Sequence, residues 1–309
     1  MTDQRAGQTL IVPDVERGTL VVTGPERLDW LNGILSCEVA SLEPGRGRFG
    51  LALTKQGKIQ SDVHVVATDE RVLLSVAPTT AADLCERFEQ LLIMEDAEIA
   101  DASAAFAWIY LHGPRAVELA ENASGVRADL DLTGLGGAVI AVDRAELDQV
   151  VARLAERSGG EAVVDDGSAW RALRIERAVP VFGVDYALGD NPHEAGLERR
   201  AVSWTKGCYL GQEVVCMQDM RGKVKRRLTP LVLEAAEVAA GAEVRADGAP
   251  VGQLTSVAFS SRLGQTIALA SLKAPHFEGK APLAVAERPA RVLPIEEPPP
   301  AGAAPPAGG

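Results

Sequence analysis

Residues 19–25 read TLVVTGP, and residues 108–114 read WIYLHGP. Each is a short run of β-branched or aromatic residues, the composition of a strand, that closes on Gly-Pro. Proline at the first helical position has no N–H to leave unpaired, so Gly24-Pro25 and Gly113-Pro114 each predict a helix start. Behind the first, Leu28, Leu31 and Leu35 recur at spacings of three and four and supply an inner face. The echo predicts two α+β units of related build.

The pattern continues outward from both. Val63 to Ala67 and Val72 to Ala77 read as strands of a hairpin turning through residues 68–71. Thr80 with Asp83 has the form of a capping box, and Leu84, Phe88, Leu91 and Leu92 follow as a helix face. Ala97 to Ala100 begins another strand, and Val139 to Val142 precedes a helix faced by Leu147, Val150, Val151 and Leu154. Ser168 to Ala178 reads as a further helix. Strands alternating with helices of this size favour split βαβ units over a sandwich. After about residue 225 the texture changes to short strands (231–233, 242–245, 251–257 and 266–272) parted by Gly, Asp and Pro. Asp247-Gly248 is a turn signal between two of them. These predict a small antiparallel barrel. The terminal EEPPPAGAAPPAGG, 296–309, has nothing to bury and is expected to be disordered.

At 309 residues and 47% apolar composition, the chain suits two or three globular domains. A net charge of −12 argues against a general nucleic-acid binder, which needs surplus Lys and Arg. The first residues lack a basic region followed by an apolar run, and no stretch reaches membrane-spanning length. Four scattered cysteines, Cys37, Cys85, Cys208 and Cys216, form no disulfide framework, so a reducing cytoplasm is the expected compartment. Cys37 and Cys85 fall on apparent apolar helix faces. His64, His112, His193 and His276 do not repeat at metal-ligand spacing, and no resident metal is expected.

Residues 206–213, KGCYLGQE, carry the most chemistry. Two glycines frame Cys208, so the backbone there can turn sharply or approach a ligand. Lys206, two residues away, would favour the thiolate. The plainer reading is a packed Cys in a strand-loop-strand corner. Just beyond, Arg221, Lys223, Lys225, Arg226 and Arg227 form a dense basic run. It reads equally as a site for an anionic group or as a charge-blunted strand edge.

The run K-G-C-Y-x-G-Q-E resembles the signature of YgfZ-type folate-binding proteins, within the aminomethyltransferase (glycine-cleavage T-protein) superfamily. The resemblance extends through residues 26–66, through 173–197 (with Arg174-Ile175-Glu176 and residues 191–197, NPHEAGL) and through 249–272. It implies an aminomethyltransferase-like α+β fold of three domains. Residues 1–225 would form two intertwined α+β domains around a folate site, residues 226–294 a C-terminal antiparallel β-barrel, and residues 295–309 a disordered tail.

The cofactor implied is tetrahydrofolate or a derivative, and the role is maintenance of iron–sulfur enzymes, including tRNA-thiolating ones. Iron–sulfur proteins are then the partners, with no direct nucleic-acid or membrane contact and a monomeric state expected. Carried residue by residue, the resemblance makes Cys208 the functional thiol, tuned by Lys206, and sets Glu194 against the pterin. An ionised carboxylate can meet the adjacent ring N–H and amino donors there with its two oxygens. Asp62, Glu176, Arg221 and Arg227 complete the expected cofactor site, although Glu176 reads equally as a helix-paired or solvated carboxylate. One departure bears on chemistry. Transferring relatives carry paired aspartates where this chain has Ser61-Asp62. Loss of the first weakens an aminomethyltransferase reading, the alternative to the accessory role, because Ser lacks a carboxylate's basicity.

Overall fold

The structure is a computed structural model that describes residues 7–235 and 237–295; the expected tail, 296–309, lies outside the described residues. The chain runs through strand β1 (Thr9–Asp14), β2 (Gly18–Thr23), helix α1 (Arg27–Ile34), β3 (Gly47–Leu53), β4 (Ile59–Ala67), β5 (Val72–Val76), α2 (Ala81–Glu89) and β6 (Glu98–Asp101). It continues through β7 (Phe106–His112), α3 (Ala116–Ala120), β8 (Val126–Asp129), β9 (Gly137–Asp143), α4 (Leu147–Arg157), β10 (Ala162–Val164) and α5 (Ser168–Glu176). A long irregular stretch then leads to α6 (Gln212–Arg221) and six last strands, β11 (Arg226–Leu233), β12 (Glu243–Ala246), β13 (Ala249–Ser260), β14 (Gln265–Lys273), β15 (Leu283–Val285) and β16 (Arg288–Val292).

Both Gly-Pro stretches end a strand and lead into a helix, but each helix starts two residues beyond its proline, at Arg27 and at Ala116. The glycines explain the delay. Gly24 (φ +97°) and Gly113 (φ +133°) turn through the left-handed region against a neighbouring segment. A Cβ on Gly24 would lie 2.3 Å from the Asp96 carbonyl oxygen. The turn comes first and the helix follows. The capping box at Thr80 does not form either: no side chain caps the helix, and the Thr80 hydroxyl lies instead within hydrogen-bond distance of Ser61 Oγ (2.9 Å) and the Ala77 carbonyl (2.9 Å).

The first sheet runs β3-β4-β5-β2-β6 and the second β10-β1-β7-β9-β8. Without the edge strand β3 and the inserted β1, each unit is a β-α-β-β-α-β chain with its strands in spatial order fourth, first, third, second. Two split βαβ units therefore repeat. They are intertwined because β1 precedes the first unit in the chain yet pairs in the second sheet, antiparallel to β7 and parallel to β10.

Each sheet has two buried faces. Val63 and Val65 of β4 pack outward with Leu31, Leu84 and Phe88 of α1 and α2. Ile109 and Ile140 pack outward with Leu119, Val150 and Leu154 of α3 and α4. Between the sheets, Val66 and Leu73 of the first meet Trp108, Tyr110 and Val139 of the second. This explains why all nine residues of β4 are buried.

The last six strands close into a barrel, β11-β14-β13-β12-β15-β16, with β11 and β16 completing the ring. Asp247 (φ +49°) and Gly248 (φ +79°) make the tight turn expected of Asp-Gly. A buried ion pair joins the barrel to the rest. Arg174 of α5 donates to Asp185 (2.7 Å) and to Ser256 of β13 (2.7 Å), while Asp185 also accepts from the Thr255 and Ser256 hydroxyls (2.6 Å each). Its carboxylate is fully satisfied, as a charge this deeply buried requires.

Residues 206–213 do not form a strand-loop-strand corner. They are an irregular segment whose last residues, Gln212 and Glu213, begin α6. Gly211 (φ +85°) makes the entry, and its missing side chain lets it sit against the Thr54 carbonyl. Cys37 lies just past the end of α1, not on a helix face, and is buried beneath Gly50; Cys85 is half-buried on α2. Among the described residues no helix is long and apolar enough to cross a membrane.

Candidate functional site

A strand's period of two decides which side chains of β4 can act. Odd positions point to the helix layer, and even positions point between the sheets. Ser61 therefore faces away, wholly buried, its hydroxyl donating to the Asp62 carbonyl (2.7 Å) and accepting from Ala77 N–H (3.0 Å). Asp62 and His64 face inward. Of the Ser61-Asp62 pair, the side chain on the cavity side of the strand is therefore the carboxylate of Asp62.

Asp62 and His64 line a cavity between the sheets that encloses about 890 Å³, its open mouth included. Arg17, from the turn between β1 and β2, reaches Asp62 with two nitrogens, Nη2 to Oδ1 at 2.9 Å and Nη1 to Oδ2 at 3.4 Å. Tyr186 donates its hydroxyl to Asp62 Oδ2 at 3.0 Å. Burial alone would push the Asp62 carboxyl up, but the charge and hydrogen bonds of Arg17 outweigh it and hold it below the usual 3.8. The same contact leaves Tyr186 well above the usual tyrosine range, through burial first and the Asp62 charge second.

A second branch leaves Arg17. Its Nε donates to Ser75 Oγ (2.6 Å), Ser75 Oγ meets the Tyr110 hydroxyl (2.8 Å), and that hydroxyl meets His64 Nδ1 (2.7 Å). Burial, then the nearby Arg17 charge, push His64 well below 6.5, so it is neutral. On β7 the alternate residues Trp108, Tyr110 and His112 stand as near-parallel rings, and Trp170 of α5 stacks on His112 with centroids 4.1 Å apart and planes 7° apart. Burial lowers His112 to about 4, and its Nδ1 is buried without a partner. The arrangement offers a flat aromatic wall, an orphaned imidazole nitrogen and a locked carboxylate. Such a cavity suits a flat heteroaromatic ring carrying both donors and acceptors.

Arg200 stands where this cavity meets a second one, which Glu198, Arg227 and the barrel residues Leu269 and Val292 also line. Burial, then Arg177, lower Arg200 to about 10. Its Nη1 donates to the Leu132 carbonyl (2.9 Å).

Of the site residues expected from the sequence, Asp62 is the one that lines the inter-sheet cavity. Glu194 lies half-buried in a turn of the irregular stretch between α5 and α6, where its backbone carbonyl accepts from the N–H of Leu228 on β11 (2.8 Å); it is not among the residues lining either cavity. Glu176 is turned to the barrel, paired with Arg262 (2.7 Å) and accepting from the Ser260 hydroxyl. Arg227 is paired with buried Glu198, which already neutralises it, and Arg221 is exposed at the end of α6.

Lys206 is also differently employed. Its ammonium donates to the carbonyls of Asn32 (2.7 Å), Leu35 (2.9 Å) and Cys37 (2.6 Å), closing the open end of α1. All three of its donors are spent there. Lys206 thus caps α1, and Cys208 itself is exposed.

Arg17, Ser75, Tyr110, Tyr186, His112 and Trp170 escaped sequence reasoning. One signal was present: polar and aromatic residues at every second position of otherwise apolar strands, 62 and 64 on one and 108, 110 and 112 on the other. Histidines weighed only as metal ligands were set aside. Among the described residues no group of His, Cys, Asp or Glu is arranged to hold a metal ion.

Residues 12–158 match the GCVT N-terminal domain, and residues 226–298 match the glycine cleavage T-protein C-terminal barrel domain. The aminomethyltransferase of Streptomyces avermitilis is 28% identical over 287 residues, covering 84% of this chain and 77% of that protein. The aminomethyltransferase of Thermosynechococcus vestitus is 30% identical over 276 residues, covering 82% and 73%. In shape, the chain is similar to the crystal structure of glycine cleavage system aminomethyltransferase T from Bartonella henselae. The TM-score is 0.79 at 17% identity, over 96% of this chain and 88% of that one.

Proposed function

The chain belongs to the aminomethyltransferase (glycine-cleavage T-protein) family, and from that premise we propose that it binds a reduced folate as an accessory protein. The inter-sheet cavity is the binding site, and tetrahydrofolate or a derivative is the ligand. The aromatic wall at His112 and Trp170 supports a flat pterin, and the orphaned His112 Nδ1 supports a polar edge on it. Tetrahydrofolate, when bound, supplies an amine that carries one-carbon units.

One observation carries the accessory role over group transfer: Arg17 and Tyr186 between them occupy both oxygens of Asp62. A carboxylate held ionised by a buried guanidinium is a weak proton acceptor, so Asp62 orients a ligand better than it drives proton transfer. The KGCYLGQE resemblance adds the client class, iron–sulfur proteins in the cytoplasm, with exposed Cys208 as the thiol that serves them. The aminomethyltransferase reading keeps one observation in its favour: a carboxylate, Asp62, does face the cavity.

Calorimetric titration of tetrahydrofolate onto the wild type, Asp62→Asn and Glu194→Ala tests the site. Asp62→Asn, which alters the cavity itself, should lose about tenfold or more in affinity, a charge-assisted hydrogen bond being worth about 1.5–3 kcal/mol. A comparable loss in Glu194→Ala would move the pterin site towards Glu194. No measurable uptake by the wild type would end the folate reading. Turnover in a glycine-cleavage assay with an aminomethyl-lipoyl carrier would move the assignment to the transferase.

A further inference from the structure

The hydrogen-bond chain from Arg17 to His64 runs in one direction. A guanidinium can only donate, so Arg17 Nε–H fills one lone pair of Ser75 Oγ. The Ser75 hydroxyl proton then has one acceptor among the described residues, the Tyr110 oxygen 2.8 Å away. The Tyr110 proton in turn has one acceptor among the described residues, His64 Nδ1, 2.7 Å away. The reverse order would leave the Ser75 proton without an acceptor in a wholly buried position. His64 Nδ1 is therefore the acceptor nitrogen. In a neutral imidazole the proton must then sit on Nε2. That nitrogen has no hydrogen-bond partner among the described residues, and His64 lines the cavity.

We infer that His64 is a fixed hydrogen-bond donor to the cavity's ligand, its Nε2–H held in place by Arg17, Ser75 and Tyr110. Arg17 thus has two tasks. It locks Asp62 as an acceptor and, through Ser75 and Tyr110, sets His64 two residues along the same strand as a donor. The pair presents an acceptor and a donor on one face of β4, and so selects a ligand edge with the complementary donor and acceptor. A ligand carrying a donor opposite His64 leaves two N–H groups facing each other and is rejected. The inference rests on the folate reading for its ligand, since a pterin edge bears N–H donors beside a carbonyl and bare ring nitrogens. Its electrostatic part does not depend on that reading.

Two-bond ¹H–¹⁵N correlation spectra of ¹⁵N-labelled protein report the tautomer of each of the four histidines. His64 is assigned by the signals missing from His64→Gln. The expected wild-type pattern is a bare Nδ1 and a protonated Nε2, and Tyr110→Phe should convert it to a mixture. A protonated Nδ1 in the wild type, or an unchanged pattern in Tyr110→Phe, overturns the inference.

Tetrahydrofolate affinity provides the second arm. His64→Gln places an amide N–H near the Nε2 position and should bind like the wild type, whereas His64→Leu should bind about tenfold more weakly. Equal binding by His64→Leu overturns the donor role. A wild type that takes up no tetrahydrofolate sinks the folate reading instead, and the tautomer then decides the donor by itself.

Discussion

Arg17 grips Asp62 with two nitrogens, at 2.9 and 3.4 Å, in a place where less than a tenth of either residue is exposed. Removing one member of such a pair strands the other charge, at a cost of about 3–5 kcal/mol. Arg17→Gln should therefore be strongly destabilised near neutral pH. The sign of its pH dependence follows from Asp62. In the wild type the folded carboxyl titrates below 3.8, so its contribution is complete above that value and is lost as pH falls through the lowered one. Without Arg17, burial dominates and raises the Asp62 pKa, so acidification should shrink the stability gap between variant and wild type. Urea unfolding at about pH 7 and about pH 5 measures it. A gap of the same size at both would count against the pair.

Ser61→Asp would add a carboxylate next to Asp62 in sequence but on the opposite face of β4. The new carboxylate would enter the helix-side layer beside Thr80, where Ser61 now donates to the Asp62 carbonyl, an acceptor that a carboxylate can only repel. A loss of about 2 kcal/mol or more is expected, with no gain of glycine-cleavage activity. A stable variant that gains turnover would show that the pleat is not what separates the two positions.

Two neutral histidines face or border the cavity. Burial lowers His64 well below 6.5 and His112 from 6.5 to about 4. The unfolded chain takes up protons that the fold excludes, so the stability present above about pH 6.5 declines as pH falls towards the lowered values. The slope should approach about 1.4 kcal/mol per pH unit for each histidine. His112→Phe keeps a ring against Trp170 and removes one titration, so the slope should fall by about half. A flat profile between about pH 6.5 and 4.5 would contradict the burial of both.

Lys206 and Cys208 should separate cleanly. Lys206→Met removes the donor shared by three carbonyls and should cost about 2–4 kcal/mol, while leaving the alkylation rate of Cys208 unchanged. Peptide mapping after brief alkylation should rank Cys208 first, being exposed, and Cys37 last, being buried with its thiol pushed up to about 11. Cys208→Ala should keep the wild-type melting temperature yet fail to restore iron–sulfur enzyme activity in cells lacking the protein. Full complementation would remove the thiol from the function.

Much of the site was illegible in one dimension because its members come from six separate elements. Arg17 sits in a turn, Asp62 on β4, Ser75 on β5, Tyr110 on β7, Trp170 on α5 and Tyr186 in the irregular stretch beyond. No spacing rule links them. Lys206 shows the opposite hazard. Nearness in sequence to Cys208 suggested an electrostatic pair, whereas the folded chain sends its ammonium to carbonyls some 170 positions away.

By itself the sequence determined the repeated α+β units and the barrel. Those follow from periodicity and turn chemistry, which act over a few residues, and the Asp247-Gly248 turn and the hairpin of β4 with β5 formed as their residues require. It also brought Asp62 into consideration. Only the tertiary structure decided that Asp62 and not Ser61 faces the cavity, that Arg17 neutralises it, and that Glu176 and Arg227 are already paired elsewhere. The physical reason is the sheet-on-sheet packing. One residue along a strand reverses the face, and a charge between two sheets takes its properties from whichever partner the opposite layers bring within hydrogen-bond reach.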